Sequence, residues 1–261
     1  MKIILIPIDF SDVSLNATRY SAMMFSGNLD VKIILYNMYR NEDEKETIDS
    51  YLQNLKKELL EKGDKEIECV SEMHTDFVGC LEKLAFQKAA SLIVMGITGK
   101  SAISNFFIGS NTLKMIEKNI CPVMIIPADT KFNGIKNIAM TCDFNEVEYH
   151  IPSLFIKTIL DFFDSSLHII NINSDLYISI TAEYKNKCKK LEDMFIEYKP
   201  DFYFLGMYDF YDSVEKFISD KHIDMLITIP KYHTLFEKIF NGSHTKQLAL
   251  HSKIPMLAAH A

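Results

Sequence analysis

The chain has no uninterrupted apolar stretch near the roughly 20 residues that a bilayer crossing requires; runs such as 92–95 are short. No membrane span is expected. The amino-terminal KIILIPIDF is interrupted by Asp9 and leads to no small-residue cleavage site, so it reads as a strand, not a signal peptide, and places the mature protein in the cytoplasm. Five cysteines (Cys69, Cys80, Cys121, Cys142, Cys188) are odd in number, irregularly spaced and without a CxxC pair. That excludes a zinc knuckle or redox centre and predicts buried reduced thiols. Basic runs are absent too. Residues 1–130 carry 14 basic and 18 acidic side chains and residues 131–261 carry 14 and 17, so nothing offers nucleic acid an electrostatic footprint. His222, His233, His244 and His251 crowd the second half without an HxxxH or HxH pair, which gives no metal site. There is no GxSxG elbow for a serine nucleophile.

What is present is ordinary globular composition, 48% hydrophobic and 24% charged over 261 residues, with a formal charge of −7. The acid-rich stretch from Glu42 to Asp49 reads as a solvated helix start. Met23, Met24, Met115 and Met124 fall on faces expected to be buried and read as core filler.

The chain echoes itself. KIILIPIDF at Lys2 to Phe10 returns as KNIAMTCDF at Lys136 to Phe144, and a Gly-Ser helix start followed by a closing Pro-apolar strand occurs in both halves. Two copies of one domain, 1–130 and 131–261, joined near 128–133, account for this. Short apolar runs alternate with segments of helical period, the pattern of a parallel sheet with crossover helices, so each copy is expected to be a Rossmann-like α/β domain with a five-stranded parallel sheet. Strands are expected at 3–8, 31–37, 66–71, 92–96 and 123–126, with helices near 13–26, 44–62, 77–89 and 110–118. Ser11 or Asp12 would cap the first helix and Thr75 or Asp76 the third. The second copy gives strands at 135–141, 167–172, 202–206, 225–229 and 255–259. In such sheets ligands sit outside the carboxyl ends of strands, where Asp9, Met38 and Gly96 fall.

The segment VMGITGKSAISNFFIGSNTLKMI, which follows a strand-like run and leads into a helix-like one, supports three readings. Its glycines relieve a tight connection; or they form a Walker A loop; or they cradle the phosphates of a nucleotide. The Walker reading fails, because the first glycine it requires falls on Val94 within the strand. The third reading rests on a resemblance: Gly96-x-x-Gly99, nine further residues, then Gly109-Ser110, with Asp9 ending the first strand, resembles the ATP-binding pattern of the universal stress protein family. The strand CPVMIIP and the opening IPIDFSDVSLNA, with Asp9, Ser11, Ser14 and Ala17, are similar to that family as well. The resemblance spans the chain as a tandem of two such domains.

The resemblance implies that Asp9 accepts a hydrogen bond from the adenine edge, with Pro7, Ile8, Met38 and Met95 as nearby walls. Gly96 and Gly99 would border ribose and phosphates. Gly109, Ser110 and Asn111 would hold the phosphate chain at a helix start, where free amides and the helix dipole favour an anion. Asp9 also has a reading without a ligand, as a helix-capping carboxylate, and Lys100 reads as a solvated loop lysine. His74, after the third strand, reads as loop structure. A magnesium ion would come with a triphosphate, held by phosphate oxygens and water.

The second copy has Ile229-Pro230-Lys231-Tyr232-His233 where the first two glycines should be and keeps only Gly242-Ser243, so no ATP is expected there although Asp143 persists. The implied function is a nucleotide-dependent stress or signalling module with an unidentified protein partner. The rivals are a weak ATP hydrolase or adenylyl transferase, and a nucleotide-free partner-binding protein. The resemblance also implies pairing of the two halves through their closing strands about a pseudo-twofold axis, and homodimerisation.

Overall fold

In the first strand every side chain from Ile4 to Ile6 is buried, which is what a parallel sheet covered by helices on both faces asks of its central strands. A computed structural model describes residues 2–61, 66–97, 110–142, 151–172, 182–205, 210–229 and 254–259. These fall into two units, Met1–Phe132 and Asn133–Ala261.

In the first unit the strands are β1 (Lys2–Pro7), β2 (Val31–Tyr39), β3 (Glu66–Met73), β4 (Leu92–Ile97) and β5 (Val123–Pro127). Their order is β3-β2-β1-β4-β5, and the pairs are parallel. Helices α1 (Asp12–Met24), α2 (Lys45–Leu60), α3 (Phe77–Gln87) and α4 (Ser110–Glu117) connect them. The chain winds outward from β1 to β3 and then returns to lay β4 against the other side of β1. The reversal of strand order thus lies between β1 and β4, the position where such sheets open a crevice.

Caps fall where the sequence places them. The Ser11 side chain accepts the Ser14 N–H at the start of α1, and the Asp76 side chain accepts the Gly79 N–H at the start of α3. Asn16 on α1 donates to the carbonyls of Pro127 and Thr130, both at 3.1 Å, so the helix is tied to the far end of β5. Arg19 and Glu58 form a forked pair between α1 and α2, at 2.7 and 3.0 Å. The acidic stretch after β2 opens as a 3-10 turn, Glu42–Glu44, before α2.

The second unit repeats the plan with β6 (Asn137–Thr141), β7 (Ser166–Ile172), β8 (Asp201–Leu205), β9 (Met225–Thr228) and β10 (Met256–Ala258), ordered β10-β9-β6-β7-β8. Among the described residues its helices are α5 (Ser153–Phe163), α6 (Ala182–Met194) and α7 (Phe210–Asp220). Register confirms the duplication of the sheet: Ile4 pairs with Leu92 as Ile138 pairs with Met225, and Ile93 pairs with Val123 as Leu226 pairs with Met256.

Two expectations need amendment. Met23 is 49% exposed on the outer face of α1, while Met24, Met115 and Met124 are buried; adjacent helix positions point about 100° apart, so Met23 and Met24 cannot both face the sheet. All five cysteines are free, but Cys69 and Cys188 are half-buried. No helix among the described residues is long and apolar enough to cross a membrane.

Candidate functional site

Three neighbouring strands, β2, β1 and β4, end where such sheets open a crevice. Pro7 ends β1 and is buried, and Ile8 continues it by donating its N–H to Tyr36 O at 2.7 Å. Phe10 then takes a left-handed backbone, φ 61°, which costs roughly 1–2 kcal/mol for a residue with a Cβ. Its ring packs edge-on against Tyr51 at 5.4 Å. This turn brings Asp9 out beyond the sheet edge and starts α1 at once.

Asp9 is exposed and joins the cap of α1. Its Oδ1 accepts the Ser11 N–H at 3.0 Å and the Ser11 hydroxyl at 2.6 Å, an Asx turn. The Ser11 Oγ in turn accepts the Ser14 N–H at 3.3 Å. Partial burial opposes ionisation of Asp9, but the hydroxyls of Ser11 and Ser14 and the Ser11 amide outweigh it and hold the carboxyl below its usual range. Asp9 thus buttresses the helix cap through Oδ1, the reading without a ligand.

Met38 is half-buried near the end of β2, which runs two residues further than expected, to Tyr39. Met95 is buried in β4, and Gly96 follows it. β1 pairs with β4 at Ile4–Leu92 and Leu5–Ile93 and with β2 up to Pro7–Tyr36, so Pro7, Ile8, Met38, Met95 and Gly96 lie toward the carboxyl ends of adjacent strands. Ser110 opens α4, and Asn111 is exposed in its first turn. Gly99, Gly109, Lys100, Asp143 and Gly242-Ser243 lie outside the described residues.

Gly96 has a structural reason that periodicity could not reveal. A Cβ there would stand 2.5 Å from the Val13 carbonyl oxygen and 2.6 Å from Val13 Cγ1, so only glycine lets the first turn of α1 approach β4 this closely.

A residue missed by sequence reasoning is Asn37. Buried at the end of β2, its Nδ2 donates to Ile8 O at 2.7 Å and so anchors the turn that carries Asp9. Asn171 does the same in the second unit, donating to Cys142 O at 2.9 Å, and the Oδ1 of each is buried without a partner. The signal was available: Asn37 and Asn171 are as far apart in sequence as Lys2 and Lys136, in the same repeat. Among the described residues no cluster of three His, Cys, Asp or Glu side chains is arranged to hold a metal ion.

Residues 1–127 match the sequence model of the universal stress protein family. A universal stress protein of Methanocaldococcus jannaschii is 30% identical over 146 residues, covering 50% of this chain and 84% of that protein. The crystal structure of a universal stress protein from Archaeoglobus fulgidus superposes with a TM-score of 0.68 at 16% identity, covering 98% of this chain and 97% of that one. A functionally unknown protein from Pseudomonas aeruginosa gives 0.65 at 13% identity, covering 99% and 92%. The last two are likenesses of fold alone. The sequence relative carries more, since identity at this level runs over most of its length, and with the duplicated α/β sheets it establishes that the chain belongs to the universal stress protein family.

Proposed function

We propose that the first unit binds ATP at the carboxyl ends of β1, β2 and β4, and that the protein acts in the cytoplasm as a nucleotide-dependent stress or signalling module. The observation that carries this reading is Asp9, an exposed carboxylate beyond the strand ends whose bonds to Ser11 run through Oδ1. An acceptor there suits the exocyclic amine of adenine. Met38, with the buried edges of Pro7, Ile8 and Met95, supplies an apolar wall for the base. The family resemblance puts Gly96 and Gly99 at the border of the ribose, although the space beside Gly96 is taken by Val13. Gly109, Ser110 and Asn111 then present the start of α4 to the phosphates, with magnesium arriving on the triphosphate.

One observation favours a second reading, a nucleotide-free protein that works by binding a partner. Gly96 is required by the contact with Val13 whether or not a ligand is present, so this glycine is not evidence for ATP. Gly109 is therefore the better probe. Calorimetric titration with ATP should give saturable binding to the wild type and a loss of at least tenfold in Gly109→Val. No heat of binding to the wild type would decide for the second reading. Mass spectrometry of ligand extracted from freshly purified protein would separate ATP from AMP or a cyclic nucleotide.

A further inference from the structure

Within β7, His168 is 8% exposed, and neither ring nitrogen has a hydrogen-bond partner. Its neighbours are duplicates of residues in the first unit. Register sets Ile34 beside Glu68 as it sets His168 beside Asp201. Helices α3 and α7 end alike, on Lys88 and Lys221, whose N–H groups donate to Leu84 O at 2.9 Å and Phe217 O at 3.0 Å. In the first unit Ile34 is fully buried, and Glu68 is paired with Lys88 at 2.6 Å and Lys32 at 3.0 Å. The second unit arranges the same positions differently. Asp201 Oδ2 stands 3.7 Å from His168 Nδ1, and Lys221 Nζ lies over the Tyr203 ring at 5.0 Å. The imidazole packs against Tyr203 and Phe217 at centroid distances of 5.8 and 6.4 Å.

We propose that His168 makes the β7–β8–α7 edge of the second unit a proton-operated latch, closed while the imidazole is neutral and loosened when it gains a proton. A neutral ring sits among Tyr203 and Phe217 at the cost of its unmade hydrogen bonds. An imidazolium there would bring two donors and a charge into the same space. The groups that face it are Asp201 and Tyr203 from β8, Phe217 from α7 and Lys221 just beyond; Ala139, its neighbour on β6, is apolar. Asp201 would attract the charge, but at 3.7 Å it is beyond hydrogen-bond reach, and it is 66% exposed to screening water. Burial accordingly holds the His168 pKa below its ordinary value, with Asp201 opposing the shift and Lys221 adding to it.

The sign follows from linkage. Once the edge opens, His168 titrates near its free value of about 6.5, so the open form binds more protons than the closed one and opening is favoured as pH falls. The latch is fully closed above that value. At pH 5.5 the open population is accordingly larger than at pH 7.5, by no more than about tenfold for a free value near 6.5.

Hydrogen exchange of the full chain at pH 7.5 and 5.5, corrected for intrinsic rates, tests this, with β3 as internal reference. We expect the β8 amides to lose protection at the lower pH relative to β3, by up to about tenfold. His168→Ile, which copies the first unit's residue, should abolish that loss. Equal β8 protection at both pH values in the wild type, or a pH response retained in His168→Ile, would overturn the proposal. Should that variant not fold, histidine carbon-13 NMR of the wild type gives the titration directly. A His168 midpoint below 6.5, raised by Lys221→Met and lowered by Asp201→Asn, supports the latch; a midpoint at or above 6.5 sinks it.

Discussion

The first and second units carry one sheet plan in one register, yet they differ at a position near the end of the fourth strand of each. The register that gives the first unit Gly96 brings Ile229, 8% exposed, to the same place in the second. In the first unit α1 begins at Asp12, hard on the end of β1 at Pro7, and its Val13 lies against Gly96. In the second unit the helix described between β6 and β7 is α5, Ser153–Phe163, and Pro152 precedes it without a side-chain cap. A helix can approach a sheet edge closely only where no side chain rises to meet it. The position of the loop bearing Asp9 is therefore set in part from β4, a strand far away in sequence. The asparagine tie survives in both units, because the carbonyl that ends the first strand of each needs a donor wherever the next helix lies.

The largest effect expected from exchanging these features is at the glycine. Gly96→Ile, which imposes the second unit's residue on the first, should destabilise the first unit by about 3 kcal/mol, since the clash is with backbone that has nowhere to go. Hydrogen exchange of β1 reads this unit separately, which matters because a chain of two units need not unfold in one step. Unchanged β1 protection would break the comparison. The reverse change, Ile229→Ala, removes a buried side chain and should cost about 2 kcal/mol in β9 protection and little in β1.

Next come the two asparagines. Asn37→Ala and Asn171→Ala each leave a buried carbonyl unpaired and should cost about 1–2 kcal/mol, alike in the two units. Chemical denaturation followed by unit-resolved exchange would show it. A large cost in one unit only would mean that the shared tie does different work in each.

The smallest effect is at the cap of α1. Ser11→Ala should cost about 1 kcal/mol in α1 protection. Asp9 adds a pH dependence with a definite sign. Its carboxyl is held below the ordinary value of 3.8, so its contribution is present at pH values above that and is lost as pH falls through the lower, folded-state value. Thermal melts of Asp9→Asn should consequently differ from the wild type at pH 7 and converge with it in strong acid. Curves that stay parallel throughout would remove Asp9 from the cap.

Much of this was legible in the chain because it is local. Apolar runs such as KIILIP and LIVMGI must be strands covered on both faces, Ser11 and Asp76 stand where helix caps belong, and the repeat of KIILIPIDF announces a second sheet. Asp9 too was recoverable, as the polar residue that ends the first apolar run. Tertiary structure alone decided which distant groups these elements meet. That Gly96 serves Val13, that Asn37 holds the Ile8 carbonyl and that His168 lies among Tyr203, Phe217 and Asp201 all depend on strand order and on side chains crossing between elements. Periodicity tells which way a residue points along its own element. What waits on the other side is a matter of packing, and packing depends on the whole fold.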